Sequence, residues 1–427
     1  MTLQAGAQKL LRLAAAGGFL LLYPLFFVYH FVVGSGFIPP FVFGLYGPAT
    51  IFIAAIGGLP LALLIRRHTG HPMIAAAAFL LFYCTAWVML FGYAIPDTPY
   101  LDQVNFQSLS IILGWGALYI VGLFFPWQSR TLKLASVGLF AVIGAIIVAN
   151  TSWSGLTLTI PGQETGDVAS YQGFARSVFV LSFALLAWSR TRSEQIGIWL
   201  ISSLLLFLIS ARSEFAAYIA TTLIVAFVIQ KAHPARTALL VFGVVVVWVL
   251  TSGLGTSIAE SLGQSRHVGL LDLSADTSWN ARQEMQAYAI DQIAGSPIVG
   301  DYGGHIYFDD MQLGSEAHNA LSAWVTFGLV GFCLYVGLTA AALWLSIRFF
   351  LVQPMRPDVR FACCMALSVT ILIISSKSVY WAEPALAWGM VTRLVIRSTW
   401  GPKAVGLGPA RNLLRLKRVG QTERHLR

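Results

Sequence analysis

Apolar residues in this chain come in long runs separated by short polar breaks. From Leu11 to about Ile396 the runs follow one another with few gaps, each near the roughly 20 residues that a helix needs to cross about 30 Å of hydrocarbon. The approximate spans are 12–33, 43–65, 73–95, 106–125, 132–150, 174–189, 196–211, 214–230, 237–256, 317–345, 360–376 and 384–397. The pattern therefore predicts an all-α, polytopic membrane protein with about 12 transmembrane helices. It forms one integral membrane domain over 1–427, with a large periplasmic loop at 257–316 between spans 9 and 10 and a basic cytoplasmic tail at 398–427. Composition agrees: 57% hydrophobic residues, 11% charged residues and a mean hydropathy of +0.73 exclude an ordinary soluble globular protein.

Lys9 and Arg12 precede the first run, and no small-residue cleavage site follows it, so that run is expected to stay as a signal anchor. The four cysteines, Cys84, Cys333, Cys363 and Cys364, all fall inside apolar runs. Their spacing forms neither a disulfide framework nor a metal site.

Charge sets the expected orientation. With both termini cytoplasmic and the segments alternating, inner loops and tails hold 22 of the 27 Lys and Arg, and the outer side holds 15 of the 18 acidic residues. The net charge of +9 thus averages two unlike surfaces. It does not point to nucleic acid, and the tail from Arg411 is expected to lie against anionic lipid headgroups.

Five cations fall on the outer side: Arg176, Arg212, Arg266, Arg282 and Lys377. Arg212 lies within an apolar region, 196–230, that is too long for one helix, so the chain must turn near it. Charge is costly there unless it meets a wet cavity or a partner, and two readings stay open: Arg212 and Glu214 mark an exposed turn, or Arg212 binds an anion. Arg176, at the entry to the sixth span, reads either as a snorkelling anchor or as a functional group. Lys377 and Glu383, in SSKSVYWAEP, either line the same cavity as the arginines or pair with each other.

Within the large loop, DTSWNARQEMQAYAIDQIAGSP from Asp276 carries the start and stop signals of a helix. At 100° per residue, Arg282, Met285, Gln286, Ala289 and Ile293 share its inward face. Its first turns also favour anions. The following Gly300, Gly303 and Gly304 lack phosphate-loop spacing and are read as a tight turn. The loop closes on SEAHNALSAWVTFGLVGF, in which His318 reads as an interfacial hydrogen-bonding residue, a proton acceptor or a phosphate ligand. Gly328 and Gly331 read as a helix-packing notch.

Four segments in order carry a resemblance: Gly173 with Arg176, SARSEF around Arg212, the loop helix with Arg282 followed by SPIVGDYGG, and HNALSAWVTFGLVGF from His318. Over roughly Tyr171 to Phe332 the chain resembles the bacterial O-antigen ligase and polymerase superfamily of membrane glycan transferases. It departs where the family often has Pro-Asn after the Gly173 region and Ser-Arg-Gly near Arg212. The resemblance implies transfer of a glycan from an undecaprenyl-diphosphate carrier at the outer face of the bacterial inner membrane. Arg176, Arg212 and Arg282 would bind the diphosphate, and His318, Arg282 and Arg212 would carry the chemistry, without metal or cofactor and with inversion at C1.

The acceptor would be a second carrier-linked repeat unit for a polymerase, or lipid A core for a ligase. A chain-length regulator is a possible further partner. A transporter or flippase of lipid-linked sugars is the competing class, but the halves show no clear internal repeat of the kind many transporters carry.

Overall fold

A computed structural model describes residues 2–40, 45, 47–57, 71–93, 101–153, 156–160, 171–230, 277–308 and 314–400. Among these, α-helices are α1 (Thr2–Leu22), α2 (Pro24–Gly34), α3 (Gly47–Gly57), α4 (Pro72–Gly92), α5 (Leu101–Phe124), α6 (Arg130–Ala149), α7 (Tyr171–Trp188), α8 (Arg192–Leu208), α9 (Arg212–Gln230), α10 (Thr277–Gly295), α11 (Leu321–Val352), α12 (Pro357–Ser375) and α13 (Glu383–Trp400). One antiparallel pair, Thr151–Ser152 with Thr157–Leu158, is the extended structure among the described residues.

Helix boundaries follow local chemistry. Proline stands at the start of α2, α4 and α12, where its missing N–H costs nothing. Ser129 Oγ accepts the Leu132 N–H (3.2 Å) ahead of α6, and Thr191 and Glu194 form a reciprocal capping box at α8.

Six helical segments are long and apolar enough to cross a membrane: Gln8–Gly34, Pro72–Gly92, Leu101–Phe124, Arg130–Ala149, Leu321–Val352 and Pro357–Ser375. The first combines α1 and α2 across a break at Pro24. Expected spans 174–189, 196–211, 214–230 and 384–397 coincide with α7, α8, α9 and α13, helices of 17 to 19 residues with charged or polar ends. The expected span 237–256 lies outside the described residues, and 43–65 is described only over α3. Arg266 and the tail from 401 also lie outside them.

The helices pack around α5 and α13. A β-carbon on Gly122 would overlap the Leu386 carbonyl, and one on Gly389 would overlap the Tyr119 carbonyl, so these two glycines let the backbones interlock. Beside them Trp115, Tyr335 and Trp388 form a buried aromatic trio with ring centres 5.6–6.2 Å apart. Each such pair adds about 0.5–1.5 kcal/mol to plain burial. Outward faces keep large apolar side chains exposed: Phe79, Phe82, Met89 and Leu90 on α4, Leu134, Val137 and Val142 on α6, and Ile196, Leu200, Ile201 and Leu204 on α8. Apolar surface on this scale suits lipid as its solvent.

α11 is broken at Gly328, whose φ of 67° and ψ of −178° belong to a region open essentially to glycine alone. A loop fills the break. The Leu329 N–H donates to the Ile298 carbonyl (3.0 Å), the Asp301 N–H to the Val325 carbonyl (2.8 Å), and Trp324 Nε1 to the Pro297 carbonyl (2.7 Å). Gly300 sits against this same backbone with φ +76°, and Gly303 follows with φ +79°, which is the tight turn read from the glycine spacing. The notch expected to seat a helix therefore seats a loop at Gly328, because a broken helix leaves polar groups that a loop backbone can satisfy.

Candidate functional site

The chain turns at 209–211 between α8 and α9, with Ser210 in the left-handed region (φ 63°) and its hydroxyl bonded to Thr157 Oγ1 (2.8 Å). The turn near Arg212 is thus present. An exposed charged corner is not, because Glu214 is only 2% exposed. Its carboxylate pairs with Lys377 Nζ at 2.5 Å, and the same ammonium donates to Gln172 Oε1 at 3.1 Å.

Arg176 meets a second acid. Its Nε lies 3.4 Å from Glu383 Oε1, the carboxylate is fully buried, and the guanidinium stacks over Phe26 at 4.8 Å. Glu383 also lies within the fields of Lys377 and Glu214. Of the two readings open for Lys377 and Glu383, the pairing is not between them; each takes a different partner, and the four groups form one buried set of two cations and two anions. Burying charge without a partner costs several kcal/mol, so the two pairs tie α7 to the start of α13 and α9 to the 376–382 turn.

The segment before α11 is tied on both sides. Asn319 Nδ2 donates to Gln286 Oε1 of α10 (2.9 Å), while Asn319 Oδ1 accepts the Leu321 N–H (2.9 Å) and so closes the start of α11. Ser322 Oγ donates to the Asn319 carbonyl (2.7 Å) and accepts the Val379 N–H (2.7 Å). Ser378 Oγ donates to Glu316 Oε1 (2.9 Å). Glu316 and Asn319 thus lock the loop end between α10 and the 376–382 turn. This is the physical reason that charged and amide side chains stand immediately before an apolar helix.

His318 lies between these anchors, half-buried. Burial holds its imidazole below the ordinary value of 6.5; Glu316 and a hydrogen bond to the Gly314 backbone oppose that shift, and Arg282 and Lys377 reinforce it. A ring whose charged form is disfavoured by burial, with one nitrogen bonded to the backbone, can offer the other as a proton acceptor. Arg282 projects from the second turn of α10, whose inward face is the expected one: Ala289 and Ile293 pack on Ala317 and Val325, and Gln286 holds Asn319. Among the described residues no carboxylate lies within ion-pair distance of Arg282.

Of the residues singled out in the sequence, Arg282 and Lys377 lie within electrostatic reach of His318, and Arg176 and Lys377 both act on Glu383. Arg212 opens α9, half-buried, two residues before Glu214.

Beneath the loop lies a polar layer that periodicity did not reveal. His305 is 2% exposed, and neither of its ring nitrogens has a hydrogen-bond partner; burial pushes its pKa down against the pull of Glu316 and Asp301. Its ring centre lies 6.0 Å from that of Tyr380. Tyr302 donates to Asn105 Oδ1 (2.8 Å), whose amide donates to the Gly92 carbonyl (2.8 Å).

The chain matches no family model, and no curated protein is significantly similar to it.

Proposed function

We propose that this chain is a polymerase of lipid-diphosphate-linked oligosaccharide units, working at the outer face of the bacterial inner membrane through twelve spans with both termini inside. The observation that carries the reading is a His318 whose charged form burial disfavours, tethered to the Gly314 backbone and within the field of Arg282, a cation to which no described carboxylate is paired. A glycan transfer from a diphosphate needs both: a base for the acceptor hydroxyl and a fixed cation for the leaving group.

In this reading the acceptor oxygen attacks C1 of the donor sugar and gives its proton to the free nitrogen of His318. The C1–O bond to the diphosphate breaks on the opposite face, giving inversion. Arg282 and Arg212 take the growing phosphate charge in forked hydrogen bonds and remain protonated throughout. Arg176 and Lys377 act at one remove, since each already has a carboxylate; they fix the 376–382 turn, and with it Glu316, against His318.

The test uses purified protein in liposomes with a carrier-linked oligosaccharide. His318→Ala is expected to abolish lengthening while the protein stays monodisperse. Unchanged lengthening overturns the reading, and altered movement of donor across the bilayer with unchanged product favours a transporter. Product formed only when lipid A core is added identifies a ligase.

A further inference from the structure

At the end of the bundle opposite His318, three separate segments bring arginines to one carboxylate. Arg356 grips Asp358 with two bonds, Nε to Oδ1 at 3.1 Å and Nη2 to Oδ2 at 2.7 Å, and Arg397 Nη1 reaches the same Oδ2 at 3.2 Å. Arg393, one turn before Arg397 on α13, gives Nη1 to the Phe125 carbonyl and lies within the fields of Arg397, Asp358, Arg12 and Arg356. Arg12 comes from α1. Two guanidinium groups thus grip one acid, Arg393 faces it from the next turn of α13 and Arg12 lies close to Arg393, so that among the described residues three of the four positive charges have no counter-charge.

The general excess of cations on one side of a membrane protein does not require this. Scattered cations would repel less, and like charges one helical turn apart destabilise a helix. Arg393 is half-buried, which raises the cost of crowding. Arg360 nearby is a further cation, turned away so that its Nη1 donates to the Leu186 and Ser189 carbonyls. The excess is accessible: the side chains of Arg356 and Arg397 are each 44% exposed, whereas that of Asp358 is 8% exposed.

The surroundings identify the counter-charge. Apolar side chains stand uncovered next to these arginines along the chain: Leu13 (69% exposed) follows Arg12 on α1, Leu351 (63%) lies in the last turn of α11, and Met355 (64%) precedes Arg356. Phosphate chemistry next to exposed hydrocarbon is that of a phospholipid. A soluble anion would use the guanidinium forks and leave Leu13, Leu351 and Met355 bare.

We infer that Arg12, Arg356, Arg393 and Arg397 form a binding site for the phosphodiester headgroup of an anionic phospholipid, whose acyl chains lie on Leu13, Leu351 and Met355. The site is independent of the glycan-transfer reading.

The experiment is native mass spectrometry of the full chain released from detergent with phosphatidylglycerol, phosphatidylcholine or inorganic phosphate added at equal concentration. Wild type is expected to retain phosphatidylglycerol selectively. Arg356→Gln with Arg397→Gln is expected to weaken retention about 30-fold, from roughly fivefold for each guanidinium at a charged membrane surface. Arg12→Gln, an exposed position, is expected to weaken it about fivefold, and it serves as the readout if the double variant does not fold. Equal retention of phosphatidylcholine, displacement of the lipid by inorganic phosphate alone, or undiminished selectivity in a folded variant overturns the inference.

Discussion

Replacing Gly328 with alanine tests how far the broken helix depends on one residue. At φ 67° and ψ −178° a side-chain-bearing residue is strained by about 1–3 kcal/mol. A β-carbon there would also stand 2.7 Å from the Ile298 carbonyl oxygen and 2.8 Å from that of Val299, so the loop must withdraw. Withdrawal weakens the Leu329–Ile298 and Asp301–Val325 hydrogen bonds, worth about 1 kcal/mol each. The local loss totals about 3–5 kcal/mol, a factor of at least about 100 in the opening equilibrium at 1.36 kcal/mol per decade. Hydrogen–deuterium exchange read at the Asp301 and Leu329 amides in detergent should therefore accelerate by about that factor. The control is Gly337→Ala in the same helix, where an added β-carbon meets nothing within 4 Å; it should be neutral or stabilising by up to about 1 kcal/mol. Wild-type exchange and wild-type melting in Gly328→Ala would refute the assigned backbone geometry and the docking of the loop upon it.

Three further outcomes follow from the geometry. Lys377→Met leaves Glu214 buried and unpaired and should cost about 3–5 kcal/mol in thermal or denaturant unfolding, whereas adding Glu214→Leu should restore most of it. Because His318 titrates below 6.5 when folded, the unfolded chain binds the extra proton as pH falls, so its contribution to stability is complete above about pH 7 and lost on acidification through the region below 6.5. Glu316→Gln should lower that imidazole's pKa further and Arg282→Ala should raise it, both readable by histidine NMR titration; an unmoved pKa would separate these groups from the ring. Gly389→Ala drives a methyl into the Tyr119 carbonyl and should lower the melting temperature by an amount matching about 1–3 kcal/mol, while Gly138→Ala, facing open space, should not.

Much of the helical framework was legible because a membrane helix writes its own length in apolar residues. The break between α8 and α9 followed from arithmetic alone, since 196–230 is too long for one crossing. The inward face of α10 was legible from its period, and Gln286, Ala289 and Ile293 lie on it as expected. The charge partners were not legible. Glu214 meets Lys377, and Arg176 meets Glu383, across helices that only the tertiary packing makes neighbours. The sequence marked these ionisable residues as expensive and left open what they paired with. Gly328 misled for a related reason: a small residue in an apolar helix serves equally for close helix packing or for a left-handed break, and only the arrival of Ile298 and Val299 decides between them. His305 carried no signal beyond its glycine neighbours, because burial beneath a loop has no period.

The break in α11 also divides the work of that long helix. The part beyond it, 329–352, is about 36 Å long at 1.5 Å per residue, enough by itself to traverse the hydrocarbon. The turns from Leu321 to Phe327 are therefore a separate short rod, preceded closely by His318 and Asn319. The position of His318 relative to the long part of the helix is consequently set by the docked loop at Gly328 and not by the length of 329–352.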